Sequence, residues 1–157
     1  MKFFAPDPPA MDELGLRLAQ SARRAGVIYL QGELGAGKTT LVRSLLRGFG
    51  YQGRVKSPTY TLLESYPLEG LNVYHLDLYR LASPEELEWI GLRDLLAGND
   101  LLLIEWPEQG RGMLPPADLV IAIEYKDRGR QLCVQALSAC GKKLAQALVD
   151  VDCIIKN

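Results

Sequence analysis

What the chain has little of narrows its chemistry before any motif is read. There is one histidine, His75, which excludes a metal site built from several histidines. Three cysteines, Cys133, Cys140 and Cys153, are odd in number and form no C-x-x-C pair. That is the pattern of ordinary reduced thiols rather than of a zinc or redox centre. No run approaches about 18 consecutive apolar residues, so no segment reads as a membrane span. The stretch from Met1 to Asp7 lacks the apolar core of a secretory signal, so the expectation is a cytoplasmic protein with no membrane partner. Excess charge is also missing: 18 Lys and Arg stand against 19 Asp and Glu, a formal net charge of −1. This balance argues against charge-driven nucleic-acid binding, while leaving room for a local basic patch. Repeats, low-complexity tracts and linkers are absent as well. The 157 residues, 48% hydrophobic and 24% charged, therefore read as one globular domain over 1–157.

Against this background one stretch stands out. Gly32-Glu33-Leu34-Gly35-Ala36-Gly37-Lys38-Thr39 fits G-x-x-x-x-G-K-[ST], the phosphate-binding loop of nucleotide hydrolases and kinases. Glycines let the backbone curl so that successive N–H groups point at phosphate oxygens. Lys38 brings a positive charge to the β- and γ-phosphates, and the Thr39 hydroxyl suits Mg²⁺. Upstream, Val27 to Leu30 is a short apolar run of strand formers. Downstream, Leu41, Val42, Leu45, Leu46 and Phe49 recur at helical spacing, and Gly50 sits where helices commonly stop. Strand, glycine loop and helix thus follow in the order a phosphate site requires, with the helix N-terminus beneath the anion.

The remaining chain is read in order. Residues 1–5 suit an edge strand ended by Pro6, Pro8 and Pro9, and Met11 to Arg24 is helical, closed by Gly26. Tyr60 to Tyr66 alternates like a strand, Pro67 and Gly70 mark a turn, and Val73 to Leu81 returns. On the return strand His75, Asp77 and Tyr79 share a polar face, whose bland alternative is a solvated edge. Ser83-Pro84-Glu85-Glu86 has the form of a capped helix start, running through Trp89, with a second short helix over Arg93 to Ala97. Leu101 to Ile104 is a buried-strand run ending in Glu105 and Trp106, the form of a Walker-B acid at a sheet's C-terminal edge. A Gly- and Pro-rich loop spans Pro107 to Pro116. Leu119–Tyr125 and Gln131–Ala136 form a hairpin turned at Lys126 to Arg130, and Lys142 to Val149 is a short helix.

The fold expected is α/β: a three-layer P-loop NTPase-type domain with a mixed, mainly parallel sheet and antiparallel hairpins. No N-K-x-D guanine reader exists, and the chain is short for a large motor. The contest lies between a small-molecule P-loop kinase and an ATPase acting through a partner. A kinase needs an arginine lid over the transferred phosphoryl group. Arg111, Arg128 and Arg130 are the candidates for it, but no acceptor pocket is evident. Thr39, Asp77 and Glu105 offer a hydroxyl and two carboxylates, hard ligands for Mg²⁺. Asp77 has the alternative role of orienting the attacking water. Trp106 has the alternative role of plain core packing, and His75 reads as a hydrogen-bonded structural residue rather than a base.

Four motifs in register then point to a family. Gly32 to Thr40 (GELGAGKTT), Ser57-Pro58-Thr59-Tyr60-Thr61-Leu62, His75 to Leu81 (HLDLYRL) and Ile104 to Glu108 (IEWPE) resemble the TsaE (YjeE) family from about residue 7 to residue 137. The resemblance implies a small P-loop ATPase that binds ATP and Mg²⁺ in support of threonylcarbamoyladenosine modification of tRNA. It implies assembly with a TsaD-like threonylcarbamoyltransferase and a TsaB-like subunit, and contact with tRNA only through that complex. Lys38, Asp77 and Glu105 would then be catalytic. Leu34, Gly35, Ala36, Gly37, Lys38, Thr39, Thr40, Asp77 and Trp106 would bind nucleotide, with Glu108 and Arg130 as further candidates. Thr39, Glu105 and Asp77, the last directly or through water, would hold the metal, and Ser57, Pro58 and Thr59 would form a switch-like segment. The chain departs from the family in carrying Glu33 where Asp is common. It also has Met11 where a Thr commonly precedes the helix glycine, so a nucleotide contact through that hydroxyl does not carry over. No arginine finger is evident within the chain, so slow hydrolysis alone and stimulation by partners are expected.

Overall fold

A computed structural model describes residues 1–150. Seven strands form one sheet in the order β1-β7-β6-β2-β5-β4-β3. The strands are β1 (Lys2–Ala5), β2 (Gly26–Gln31), β3 (Leu63–Leu68), β4 (Leu71–Asp77), β5 (Leu101–Glu105), β6 (Leu119–Lys126) and β7 (Gly129–Ala136). The central run β6-β2-β5-β4 is parallel, and the antiparallel pairings lie outside it, as the hairpins β3–β4 and β6–β7 and as β1 on β7. The mixed sheet expected from the sequence is present, with three pairings of each kind.

The parallel centre is apolar because helices cover both faces. On β5 every residue is buried, and successive side chains serve opposite layers. Leu101 and Leu103 join one core with β2 residues Ile28 and Leu30, α1 (Pro8–Ala22) and α2 (Lys38–Gly48). Leu102 and Ile104 join the other, with Leu76, Leu78, Leu87 and Leu92, beneath the short helices α3 (Glu86–Trp89) and α4 (Leu92–Ala97). The arrangement is three layers, thick on one side and thin on the other.

Local signals set the helix ends. The Asp7 carboxylate accepts from Ala10 N–H at 2.9 Å, capping α1 three residues ahead of the expected start, and Pro8 and Pro9 occupy positions whose N–H would be unbonded anyway. Met11, Leu14, Leu18 and Ala22 face α2 and the sheet. Gly15 permits the helix pair to close up, since a Cβ there would meet Ser44 Cβ at 2.5 Å. Ser44 Oγ in turn donates to the Asp12 carboxylate, tying α2 to α1.

Several expectations shift. The strand read from Tyr60 begins only at Leu63, because Pro58 to Thr61 is a turn and Leu62 is left-handed, with φ 69°. Pro67 lies inside β3 rather than in the turn, which is tolerated because β3 is the sheet's edge. Gly26 opens β2 rather than merely ending α1. The last hairpin turns on Asp127 and Arg128 alone, since Lys126 pairs with Gly129, which puts Arg130 on a strand. Ser83 does not cap α3; its hydroxyl donates to Glu85, and the helix is a single turn starting at Glu86. The loop after Trp106 contains a 3₁₀ turn over Pro107–Gly110. The closing helix starts at Ala139, capped by Ser138, and breaks at Ala145 into α5 (Ala139–Leu144) and α6 (Gln146–Val149). Cys133 and Cys140 are free thiols, and Cys153 lies outside the described residues.

Candidate functional site

β4 and β5 run side by side, so Asp77 stands opposite Glu105 and His75 opposite Leu103. All three polar side chains lie on the sheet face that meets α2, at the C-terminal end of the strands, where open α/β sheets bind ligands. They are buried, with His75 0%, Glu105 2% and Asp77 4% exposed. The polar face of β4 is therefore an interior surface and not a solvated edge. Tyr79, expected on the same face, lies beyond the strand end and packs against Trp106, ring centroids 5.0 Å apart.

The glycine loop brings the rest. Gly37, at φ 112°, takes a backbone conformation that side-chain-bearing residues rarely adopt and starts α2 at Lys38. Lys38 Nζ donates to the carbonyls of Gly32 and Glu33 and sits 4.3 Å from the Trp106 ring centroid. Thr39 Oγ1 donates to Glu105 Oε1 at 3.0 Å. Leu34 to Thr40, with Thr59, Asp77, Glu105 and Trp106, line one cavity of about 190 Å³. Trp106 reaches it through a left-handed backbone, φ 55°, an uncommon conformation for a bulky residue that turns the ring over Lys38. It is half-buried at the cavity wall and also packs against the second core, so both expected placements are met at once.

Two carboxylates and an ammonium share this space, and each is displaced from its ordinary acidity. Burial and then the neighbouring Glu105 push Asp77 up, against the opposing pull of the Tyr79 N–H and the Thr59 hydroxyl. Burial also acts to raise Glu105, but His75, Thr39 and the Lys38 charge outweigh it and hold that carboxyl below the usual range. Burial lowers Lys38 despite Glu105, Asp77 and Glu108 nearby. Thr59 Oγ1 donates to Asp77 Oδ2 at 3.1 Å and the Tyr79 N–H to Oδ1 at 2.9 Å, so both Asp77 oxygens are held. Among the described residues no group of three or more His, Cys, Asp or Glu is placed to hold a metal. The donor set here is instead one hydroxyl and two facing carboxylates beside a phosphate loop, all oxygen, which is what Mg²⁺ takes while keeping waters and phosphate oxygens as its other ligands.

Of the switch-like trio only Thr59 enters the cavity; Ser57 Oγ lies 2.8 Å from Thr59 Oγ1, outside it. Glu108 lies outside it too, in a neighbouring space bordered by Glu33, Trp106, Glu124 and Tyr125. None of the three lid candidates lines the phosphate cavity. Arg111 borders a separate hollow with Tyr29 and Gln31, and Arg128 sits at the hairpin tip. Arg130 holds the loop from the side of the larger neighbouring cavity, Nε to Ala36 O at 3.1 Å and Nη2 to Gly35 O at 3.2 Å. Directly across the hairpin from it, the Tyr125 hydroxyl donates to Leu34 O at 2.9 Å. Sequence reasoning missed this double hold, because it placed Arg130 in a turn instead of in register with Tyr125. A larger cavity of about 420 Å³, between Ala5 to Pro8, Met11 and Arg128 to Arg130, adjoins the same loop through Gly35 to Gly37 and Thr40. No helix among the described residues is long and apolar enough to cross a membrane.

The chain is similar to known proteins over most of its length. The family model described as "Threonylcarbamoyl adenosine biosynthesis protein TsaE" matches residues 5–132. A Haemophilus influenzae protein named tRNA threonylcarbamoyladenosine biosynthesis protein TsaE is 46% identical over 149 residues, covering 92% of this chain and 94% of that one. A Synechocystis protein of the same name is 44% identical over 113 residues, covering 69% and 71%. Among solved structures, YdiB of Bacillus subtilis superposes with a TM-score of 0.79 at 27% identity, over 97% of this chain and 95% of that one.

Proposed function

Since the chain belongs to the TsaE family and so serves threonylcarbamoyladenosine biosynthesis on tRNA, we propose that its part in that pathway is to bind Mg²⁺·ATP and hydrolyse it. The observation that carries the reading is the convergence of Lys38, Thr39, Asp77 and Glu105 on one cavity beneath the glycine loop. Loop N–H groups and the α2 N-terminus would receive the β- and γ-phosphates, with Lys38 as their counter-charge. The larger cavity shares Gly35 to Gly37 with the phosphate cavity, and a nucleoside joined to those phosphates would sit there, against Met11.

Thr39, Glu105 and Asp77 would hold the cation, which when bound neutralises charge developing on the transferred phosphoryl group. Thr39 gives its hydroxyl hydrogen to Glu105, leaving oxygen lone pairs for the metal. In its alternative role Asp77, held by Thr59 and the Tyr79 N–H, would instead orient the attacking water. The three candidate arginines lie outside the phosphate cavity, so the chain alone should turn over slowly. A supplied arginine is worth about 10³–10⁵ in rate in related chemistry. We assign that stimulation to TsaD-like and TsaB-like partners in the cytoplasm, with tRNA reached through them.

Radiolabelled γ-phosphate tests this reading. Release as inorganic phosphate, slow for the lone chain and faster with the reconstituted partners, is expected. Transfer of label to a metabolite would assign a small-molecule kinase instead, and equal rates with and without partners would remove the stimulation.

A further inference from the structure

Building on the cation-assisted site proposed above, we propose that His75 is its positioning residue: the Nε2–H of this imidazole fixes the Glu105 carboxylate in register with Thr39 and Asp77. His75 is fully buried in β4, where an apolar side chain would pack without desolvation cost. Its Nε2 lies 3.1 Å from Glu105 Oε1. The same oxygen accepts the Thr39 hydroxyl at 3.0 Å. An ionised carboxylate only accepts, so the hydrogen in the imidazole contact belongs to Nε2.

The other ring nitrogen supports the same assignment. Nδ1 is buried and has no hydrogen-bond partner among the described residues. A hydrogen there would leave both nitrogens unmet, Nδ1 as a stranded donor and Nε2 as a lone pair facing the carboxylate, whereas a hydrogen on Nε2 leaves only the Nδ1 lone pair unmet. The ring is therefore oriented with its one useful hydrogen toward Glu105. That matters because the terminal torsion of a glutamate is broad, and a carboxylate held by one donor can rotate. With two donors on one oxygen, from α2 and from β4, Glu105 cannot turn without breaking a hydrogen bond. The register that sets Asp77 opposite Glu105 and His75 two residues before it brings the three together.

The histidine count makes the test clean, because the full chain carries only one. In a ¹⁵N-histidine-labelled sample, Nε2 should appear as the hydrogen-bearing nitrogen. A spectrum with Nε2 bare and the hydrogen on Nδ1 overturns the proposal. A second readout is calorimetry of ADP binding with and without MgCl₂. His75→Leu keeps bulk and removes the donor, and should cut the magnesium-dependent gain in ADP affinity about 10–100-fold, the usual cost of losing an outer partner of a metal ligand. Affinity measured without magnesium should stay unchanged. His75→Gln, whose amide N–H can take the place of Nε2–H, should recover most of the gain. If His75→Leu does not fold, the glutamine variant and the spectrum decide. A folded His75→Leu that keeps the full gain removes the inference and leaves the nucleotide reading standing. A wild-type chain without any magnesium-dependent gain overturns that reading, and the positioning role falls with it.

Discussion

Thr59 enters the site from the turn that precedes β3. Its hydroxyl donates to the Asp77 carboxylate, whose second oxygen is held by the Tyr79 N–H. The side chain is largely buried, so each donor stands in for water that a free carboxylate would hold. Thr59→Val keeps the shape and removes one of these donors. A hydrogen bond to a charged group is worth about 1.5–3 kcal/mol, and Thr59 is only half-buried, so a loss of about 1–2 kcal/mol is expected. The denaturant midpoint should fall with an unchanged slope, and γ-phosphate release should slow further than stability accounts for. Unchanged stability would mean that the turn rests against Asp77 without holding it. Trp106 teaches the same lesson at one residue: the apolar run before it marked the strand, but nothing in its pattern announced the left-handed backbone that aims the ring at Lys38.

At the level of elements, the phosphate loop is braced by the β6–β7 hairpin. Arg130 holds the carbonyls of Gly35 and Ala36 while Tyr125 holds that of Leu34, and the guanidinium lies 4.1 Å from the Tyr125 ring centroid. Pinning carbonyls outward commits the peptide N–H groups to the opposite side, where phosphates would sit. Arg130→Met removes the two charge-assisted hydrogen bonds to the loop, and a third to Gly129, but keeps a long apolar stem over Tyr125. Nucleotide affinity should fall about tenfold, or about 1.4 kcal/mol, while secondary structure is retained. Arg130→Lys should rescue poorly, because an ammonium cannot grip two carbonyls in the fork geometry of a guanidinium. Calorimetric titration with ADP decides, and an unaltered affinity in Arg130→Met would reduce the brace to a structural detail. This brace was out of reach of a linear reading. Tyr125 and Arg130 become partners only once a two-residue turn fixes their register, and a turn read as five residues separates them.

Across the whole molecule, what could be read beforehand was what is local. Val27 to Leu30, the glycine loop and the spacing of Leu41, Val42, Leu45 and Leu46 each carry their own signal, and the strand-loop-helix unit stands as expected. The Leu101–Glu105 strand was equally plain, because burial on both faces leaves an unbroken apolar run. Contacts between distant strands were not plain, and the phosphate cavity is made of them: α2, the ends of β4 and β5, and the turn before β3 each contribute one wall. A ligand seated there ties α2 and the glycine loop to the ends of β4 and β5, so it should stabilise the chain as a unit. At a free concentration a hundred times the dissociation constant, binding adds about 2.7 kcal/mol. For a domain of this size that corresponds to about 5–10 °C in Tm. ADP with MgCl₂ should therefore raise the melting point by that amount, and ADP with a chelator by clearly less. Glu105→Gln keeps the volume and an acceptor oxygen but loses the negative charge, and it should erase most of the difference between the two conditions. If wild type and Glu105→Gln respond identically to magnesium, the carboxylate does not hold the cation, and the oxygen set formed with Thr39 and Asp77 loses its central member.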